Sequence, residues 1–184
     1  MTITNESVFQ IRVVLEGVEP SAWRRLLIPG AIDLAALHDI LQRAMGWTDS
    51  HLHQFIAGEQ RFGIPDPEFD DGTSDEVGVP IARFLIRAGD SLIYEYDFGD
   101  GWEHRIALED VTDSDDRQDL PLCIGGAGAC PPEDVGGIGG YEEFLAALDD
   151  PGHPDHDELA EWIDSDFDPE RFDLEEVNRR LAGR

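Results

Sequence analysis

The first clear pattern along the chain is the alternation in "VFQIRVVLEG", where Phe9, Ile11, Val13 and Leu15 share one face. A period of two predicts a half-buried strand, closed by the turn residues of "GVEP". "AWRRLLIP" predicts a neighbouring strand ended by Pro29 and Gly30. The period then changes. Leu34, Leu37, Leu41 and Ala44 recur at helical spacing, the stripe of a helix buried on one side. Asp33 is placed to cap its N-terminus and Gly46 to stop it after Met45, with Trp47 packing back on its end. "HLHQFIAG" predicts a third strand, "LIYEYDF" and "WEHRIALED" two more, and "IARFL" a single helical turn. The last quarter is helical. Tyr141, Phe144, Leu145 and Leu148 fall together, as do Leu159, Trp162 and Ile163. Asp173 and Glu176 form a capping-box pattern opening a final helix, with Arg179 and Arg180 at the end that favours cations. Strands first and helices later predict an α+β fold. It has a mainly antiparallel sheet, one helix after the second strand and a helical part over residues 141–184. The whole of 1–184 reads as one domain, with an acidic loop at 65–78 and a Gly/Pro-rich loop at 112–140.

The segment "YEYDFGDGWEH" is the densest in the chain. With Gly99, Asp100 and Gly101 as a three-residue loop, Phe98 pairs with Trp102, Tyr96 with His104, Tyr94 with Ile106 and Leu92 with Leu108. This register gathers the apolar residues on one face. It sends Asp97 to the side opposite His104, leaving only Asp100, at the tip, free to serve either. His104 then reads either as a satisfied core histidine or as a site histidine in an aromatic pocket.

Composition narrows the function classes. The chain carries 41 acidic residues against 13 basic ones, a formal net charge of −28, and every basic residue is Arg. Such a field repels phosphate backbones, so direct nucleic-acid binding is disfavoured. The charge reads either as a solvated surface suited to a salty cytoplasm or as an acidic surface that mimics nucleic acid before a basic partner. No signal-peptide pattern or membrane-length apolar run is present, which predicts a cytoplasmic protein with Cys123 and Cys130 as reduced thiols.

Candidate chemistry centres on histidines and carboxylates. His51 and His53 alternate on a strand, so both imidazoles share a face about 6–7 Å apart. With His104 they form a candidate metal triad for a divalent ion such as zinc, and Asp100, Glu133 or Asp134 are candidates to orient or activate water. Tyr96, Trp102, His104 and Cys130 are candidate ligand-binding residues on the walls of the same pocket. Two familiar motifs fail. "DFG" lacks every other kinase element, including any lysine, and "GGAGACPPEDVGGIGG" lacks the ending of a phosphate-binding loop. The spacing of Cys123 and Cys130 fits no zinc ribbon, and "HPDHDELAEW" reads as the start of a helix.

"YEYDFGDGWEH", "CPPEDVGGIGGYEEFL" and "DPGHPDHDELAEWIDSDFDPERFDLEEVN", preceded by "WRRLLIP" and "HLHQF", resemble the plasmid ORF-three-like family over nearly the whole chain. Members of that family include plasmid Ri proteins and TnpR-labelled passengers of insertion elements. The resemblance implies an α+β domain and a link to mobile elements. It implies no resolvase chemistry, because no nucleophilic serine stands among arginines and the chain is acidic. The leading expectation is an acidic cytosolic accessory protein that binds a partner protein or small ligand through the face bearing His51, His53 and His104. A metal-dependent hydrolase and an acidic nucleic-acid mimic are the alternatives.

Overall fold

The computed structural model describes residues 7–68, 72–113, 120–162 and 167–183. β1 (Ser7–Leu15) and β2 (Trp23–Pro29) pair antiparallel. The chain then leaves the sheet as α1 (Leu34–Met45) and returns as β3 (His53–Ala57), β4 (Gln60–Gly63) and the short β5 (Thr73–Asp75). A 3-10 turn (Ile81–Arg83) precedes the hairpin of β6 (Ser91–Tyr96) and β7 (Trp102–Asp113). β8 (Leu122–Ala127), α2 (Gly137–Asp149), α3 (His156–Trp162) and α4 (Leu174–Leu181) complete the chain. The strands lie in one sheet, in the order β5-β4-β3-β6-β7-β1-β2-β8. Every neighbouring pair is antiparallel except β4 with β5, so the α+β class holds. Among the described residues no helix is long and apolar enough to cross a membrane.

α1 forms where its caps and stripe place it. Asp33 Oδ1 accepts the Ala36 N–H at 3.0 Å, and Gly46, at φ 100°, turns left-handed to end the helix. Leu34, Leu37, Leu41 and Ala44 bury completely in one core with Phe9, Ile11, Val13 and Leu15 of β1. Trp47 folds back onto Tyr96 and Trp102, with ring centroids 5.3 and 5.8 Å away. At the far edge of the sheet, α4 packs beside β8. Asn178 Oδ1 accepts the Cys123 N–H at 2.8 Å while its Nδ2 donates to the Cys123 carbonyl at 2.9 Å.

Three expectations change. Residues 112–140 are not one loop, since β8 and the first turn of α2 lie within them. The β8 alternation is erased by Gly125 and Gly126, and at Gly126 a Cβ would fall 2.5 Å from the Phe172 ring and 2.7 Å from the Trp23 carbonyl oxygen. Packing demands glycine there, and glycine carries no hydrophobic period. The acidic loop likewise contains β5, too short and polar to signal itself. The hairpin pairs Tyr96 with Trp102, Tyr94 with His104 and Leu92 with Ile106, two residues away from the expected register. Asp97 is the cause: at φ 58° it ends the strand early and opens a loop over residues 97–101. A shift of two preserves the face of every side chain in the strands. Phe98 alone loses its place, half-exposed in the loop instead of opposite Trp102. Ile163, the side chain of Trp162, and residues 1–6 and 69–71 lie outside the described residues.

Candidate functional site

Two histidine-centred clusters form where α1, the segment 47–52 and the β6–β7 loop meet. The first lies on α1. His38 follows Leu34 by one turn and so points inward with the apolar stripe. The backbone N–H of Asp49 donates to Gln42 Oε1 at 2.9 Å, which sets the orientation of that amide. Gln42 Nε2 then donates to the Tyr94 hydroxyl at 2.8 Å. The Tyr94 hydroxyl, buried and pushed well above the ordinary phenol range by that burial, keeps its proton and donates to His38 Nδ1 at 2.8 Å. His38 Nε2–H closes the circuit onto Asp49 Oδ1 at 3.0 Å. Asp49, Gln42, Tyr94 and His38 thus form a closed ring with one direction of donation, and the ring selects the Nε2–H tautomer of His38. His53 stacks on His38, with ring centroids 3.6 Å apart and 5° between planes, and pairs with Glu76 at 3.0 Å. Burial first, and His53 second, hold His38 below its ordinary value.

The second cluster is not closed. His51 Nε2 lies 3.2 Å from Asp134 Oδ1, 3.6 Å from Asp97 Oδ2 and 3.9 Å from Glu133 Oε2. His51 Nε2 and Glu133 Oε2 are buried atoms without an aligned hydrogen bond. The second oxygens of Asp97 and Glu133 are held. Asp97 Oδ1 accepts the Gly99 N–H at 2.9 Å. Glu133 Oε1 accepts from the Thr48 N–H at 2.7 Å, the Thr48 hydroxyl at 2.8 Å and the Tyr96 hydroxyl at 3.1 Å. Burial, with Glu133 adding to it, pushes the Tyr96 phenol well up, so it remains a donor. Asp100 supports the arrangement from outside: its Oδ2 accepts the Gly136 N–H at 3.1 Å, docking the hairpin loop on the segment before α2. At Gly137, φ 68°, a Cβ would meet the Asp100 carbonyl at 2.5 Å, so the docking requires glycine.

The non-glycine residues with positive φ among the described residues are Asp49, Asp97 and Asp134. All three belong to these two clusters. Asp tolerates the left-handed region better than most residues, yet still at a conformational cost, and such strain gathers where side chains must be aimed. The ligand atoms of His51, Asp97 and Asp134 lie within 4.8 Å of one another, as do those of His38, Asp49 and His53. Both groups have the donor set of a divalent-metal site.

Residues 7–176 match the family model described as plasmid pRiA4b ORF-3-like protein. The chain belongs to the plasmid pRiA4b ORF-3-like family. It is 43% identical over 177 residues to the uncharacterized protein y4hQ of Sinorhizobium fredii, covering 95% of this chain and 91% of that protein. Its fold is similar to the crystal structure of a protein of unknown function, MM3350, from Methanosarcina mazei Go1. There the TM-score is 0.84 at 32% identity, with 95% of this chain and 99% of that chain covered.

In this ORF-3-like protein the residues singled out from sequence divide. His51, His53 and His104 do not converge as a metal triad. His51 faces Asp97 and Asp134, and His53 pairs with Glu76. His104 is fully buried, with both ring nitrogens engaged. It accepts the Trp47 indole N–H on Nε2 at 3.2 Å and points Nδ1 at the Trp102 carbonyl, 3.1 Å away. Its core reading is the one the geometry supports. Trp102 is core as well, and Tyr96 meets the site with its hydroxyl on Glu133 and its ring edge-on to His51. Cys130 lies elsewhere, lining a cavity with Arg24 and Arg180, and burial pushes its thiol far above the reactive range. Glu133 and Asp134 stand at the site, whereas Asp100 acts one layer behind. Sequence reasoning missed His38, Asp49, Glu76 and Asp97. A usable signal existed for His38 and, one turn further on, Gln42, two polar residues bordering the apolar stripe of the helix.

Proposed function

We propose that this ORF-3-like protein is a cytosolic accessory protein that binds a small cationic or hydrogen-bond-donating ligand. The observation that carries the reading is a cavity of about 670 Å³ bounded by the first turns of α1, the segment 49–53 and Glu76. Its lining includes His38, His51, His53 and the carboxylates of Asp39, Asp49 and Glu76, and no Arg. A concave site with a few convergent polar groups is where ligands are usually held. With carboxylates and no cation in the lining, an amine fits it and a phosphate or nucleotide does not. The net charge of −28 favours the same class of ligand over long range.

Calorimetry on metal-stripped protein in EDTA tests this, with putrescine and inorganic phosphate as probes. The diamine is expected to bind one saturable site, phosphate to give no heat, and Ala35→Trp, which fills the cavity from α1, to abolish diamine binding. An equal response to phosphate, or diamine binding untouched by Ala35→Trp, would refute the reading. The hydrolase alternative has one observation on its side, the unpartnered atoms around His51. It requires a cation at that position first.

A further inference from the structure

We propose that His51 Nε2, Asp97 Oδ2 and Asp134 Oδ1 form a divalent-cation site, with Glu133 Oε2 as a fourth donor. The proposal does not rest on the ligand of the neighbouring cavity.

The two histidine clusters have similar composition and opposite hydrogen-bond status. Around His38 every donor meets an acceptor, and the proton on Nε2 already points at Asp49. A cation there would have to displace that proton and break the ring. Around His51 the reverse holds. Buried His51 Nε2 and Glu133 Oε2 lack an aligned partner. The Asp97 side chain, only 9% exposed, spends Oδ1 on the loop N–H groups and turns Oδ2 toward His51. A buried carboxylate oxygen without a donor costs stability unless a cation or proton meets it.

An ion pair alone does not account for the cluster. Three carboxylates surround one imidazole, so even a protonated His51 leaves negative charge in excess. A dication bound to the neutral imidazole offsets more of that charge than a single proton does. The spacing agrees with this reading. Ligand bonds of about 2.1 Å put two donors about 3.0 Å apart at a right angle and about 3.4 Å apart at a tetrahedral one. Asp134 Oδ1 and Asp97 Oδ2 stand 3.2 and 3.6 Å from His51 Nε2, close to those spacings, and Glu133 Oε2, at 3.9 Å, must move further to join them.

The surroundings are those of a supported metal site. One oxygen of Asp97 and one of Glu133 are fixed by N–H and O–H donors, which orient the remaining oxygen of each. The left-handed backbones of Asp97 and Asp134 bring their carboxylates inward from two separate loops. Asp134, 72% exposed, leaves the outer side open to solvent. One imidazole with carboxylate oxygens suits a first-row dication such as Mn²⁺ or Zn²⁺ rather than a thiolate-seeking ion. An open outer position would leave room for water.

The test is titration of EDTA-stripped protein with Zn²⁺ and with Mn²⁺, followed by calorimetry and elemental analysis after desalting. The wild type is expected to retain one equivalent. Asp97→Asn keeps an oxygen for the Gly99 N–H and removes the ligand charge. It is expected to weaken binding on the order of 100-fold, as is His51→Gln, with both variants still folded by circular dichroism. Asp49→Asn, in the closed cluster, is expected to bind as the wild type does. Several weak equivalents indifferent to Asp97→Asn would overturn the proposal. So would uptake abolished by Asp49→Asn but retained by Asp97→Asn.

Discussion

Tyr94 and His104 face each other across the β6–β7 hairpin, and each fixes the protonation of an imidazole. Tyr94 does so through its hydroxyl, whose donation to His38 Nδ1 leaves the ring proton on Nε2. His104 is held by the Trp47 N–H on one side and backbone carbonyls on the other. A second proton on its ring would point at the Trp47 donor, at a fully buried position. Burial accordingly lowers His104 from 6.5 to about 4. The unfolded chain takes up a proton at this position below pH 6.5, and the folded chain does so only near pH 4. In that window the unfolded state binds more protons, so stability rises with pH and falls on acidification. His38, also lowered, adds in the same direction. Chemical denaturation at pH 7.5 and pH 4.5 is expected to show a loss of about 3 kcal/mol attributable to His104, and His104→Phe should flatten that dependence. A steep profile retained in His104→Phe would contradict the assignment. At this scale the sequence was only partly legible. Glu133 and Asp134 were recognisable as acids beside a turn. Asp97 was not, because alternation places it opposite His104, and only its left-handed backbone brings it to His51.

Among the elements, those with a sustained period were legible and those built on glycine were not. β1 and α1 follow the spacing of their apolar residues, and the caps at Asp33 and Gly46 sit where the sequence places them. β8 and the first turn of α2 are dense in glycine because backbone and ring atoms approach within the space of a Cβ at Gly126 and Gly140. Close packing removed the very side chains that would have announced them. The cap of α1 also has a role beyond its helix. Asp33 Oδ1 holds the Ala36 N–H, and Oδ2 holds the Gly78 N–H at 2.8 Å, in the segment that carries Glu76 to His53. Asp33→Ala is therefore expected to cost more than an ordinary cap, about 2 kcal/mol by thermal or chemical melting. Hydrogen exchange should quicken at residues 76–79 as well as at the first turn of α1. Exchange quickened at α1 alone would show that the second bond carries no weight.

For the molecule as a whole, the fold class was readable from the order of strands and helices, while the two ends of the sheet were not. A long sheet has two edges, and each is a template for a neighbouring chain. On one side the last strand is β5, three polar residues running parallel to β4. On the other side β8 is met by the carboxamide of Asn178, which gives and takes one hydrogen bond at Cys123 as an incoming strand would. Asn178→Ala should free both groups of Cys123, and sedimentation should then show concentration-dependent self-association absent from the wild type. A variant that stays monomeric would mean that the bulk of α4, not its amide, shields the edge. That carboxamide acts as a terminator. It ends the hydrogen-bond ladder within a single molecule, where a bare strand would leave it open to polymerisation.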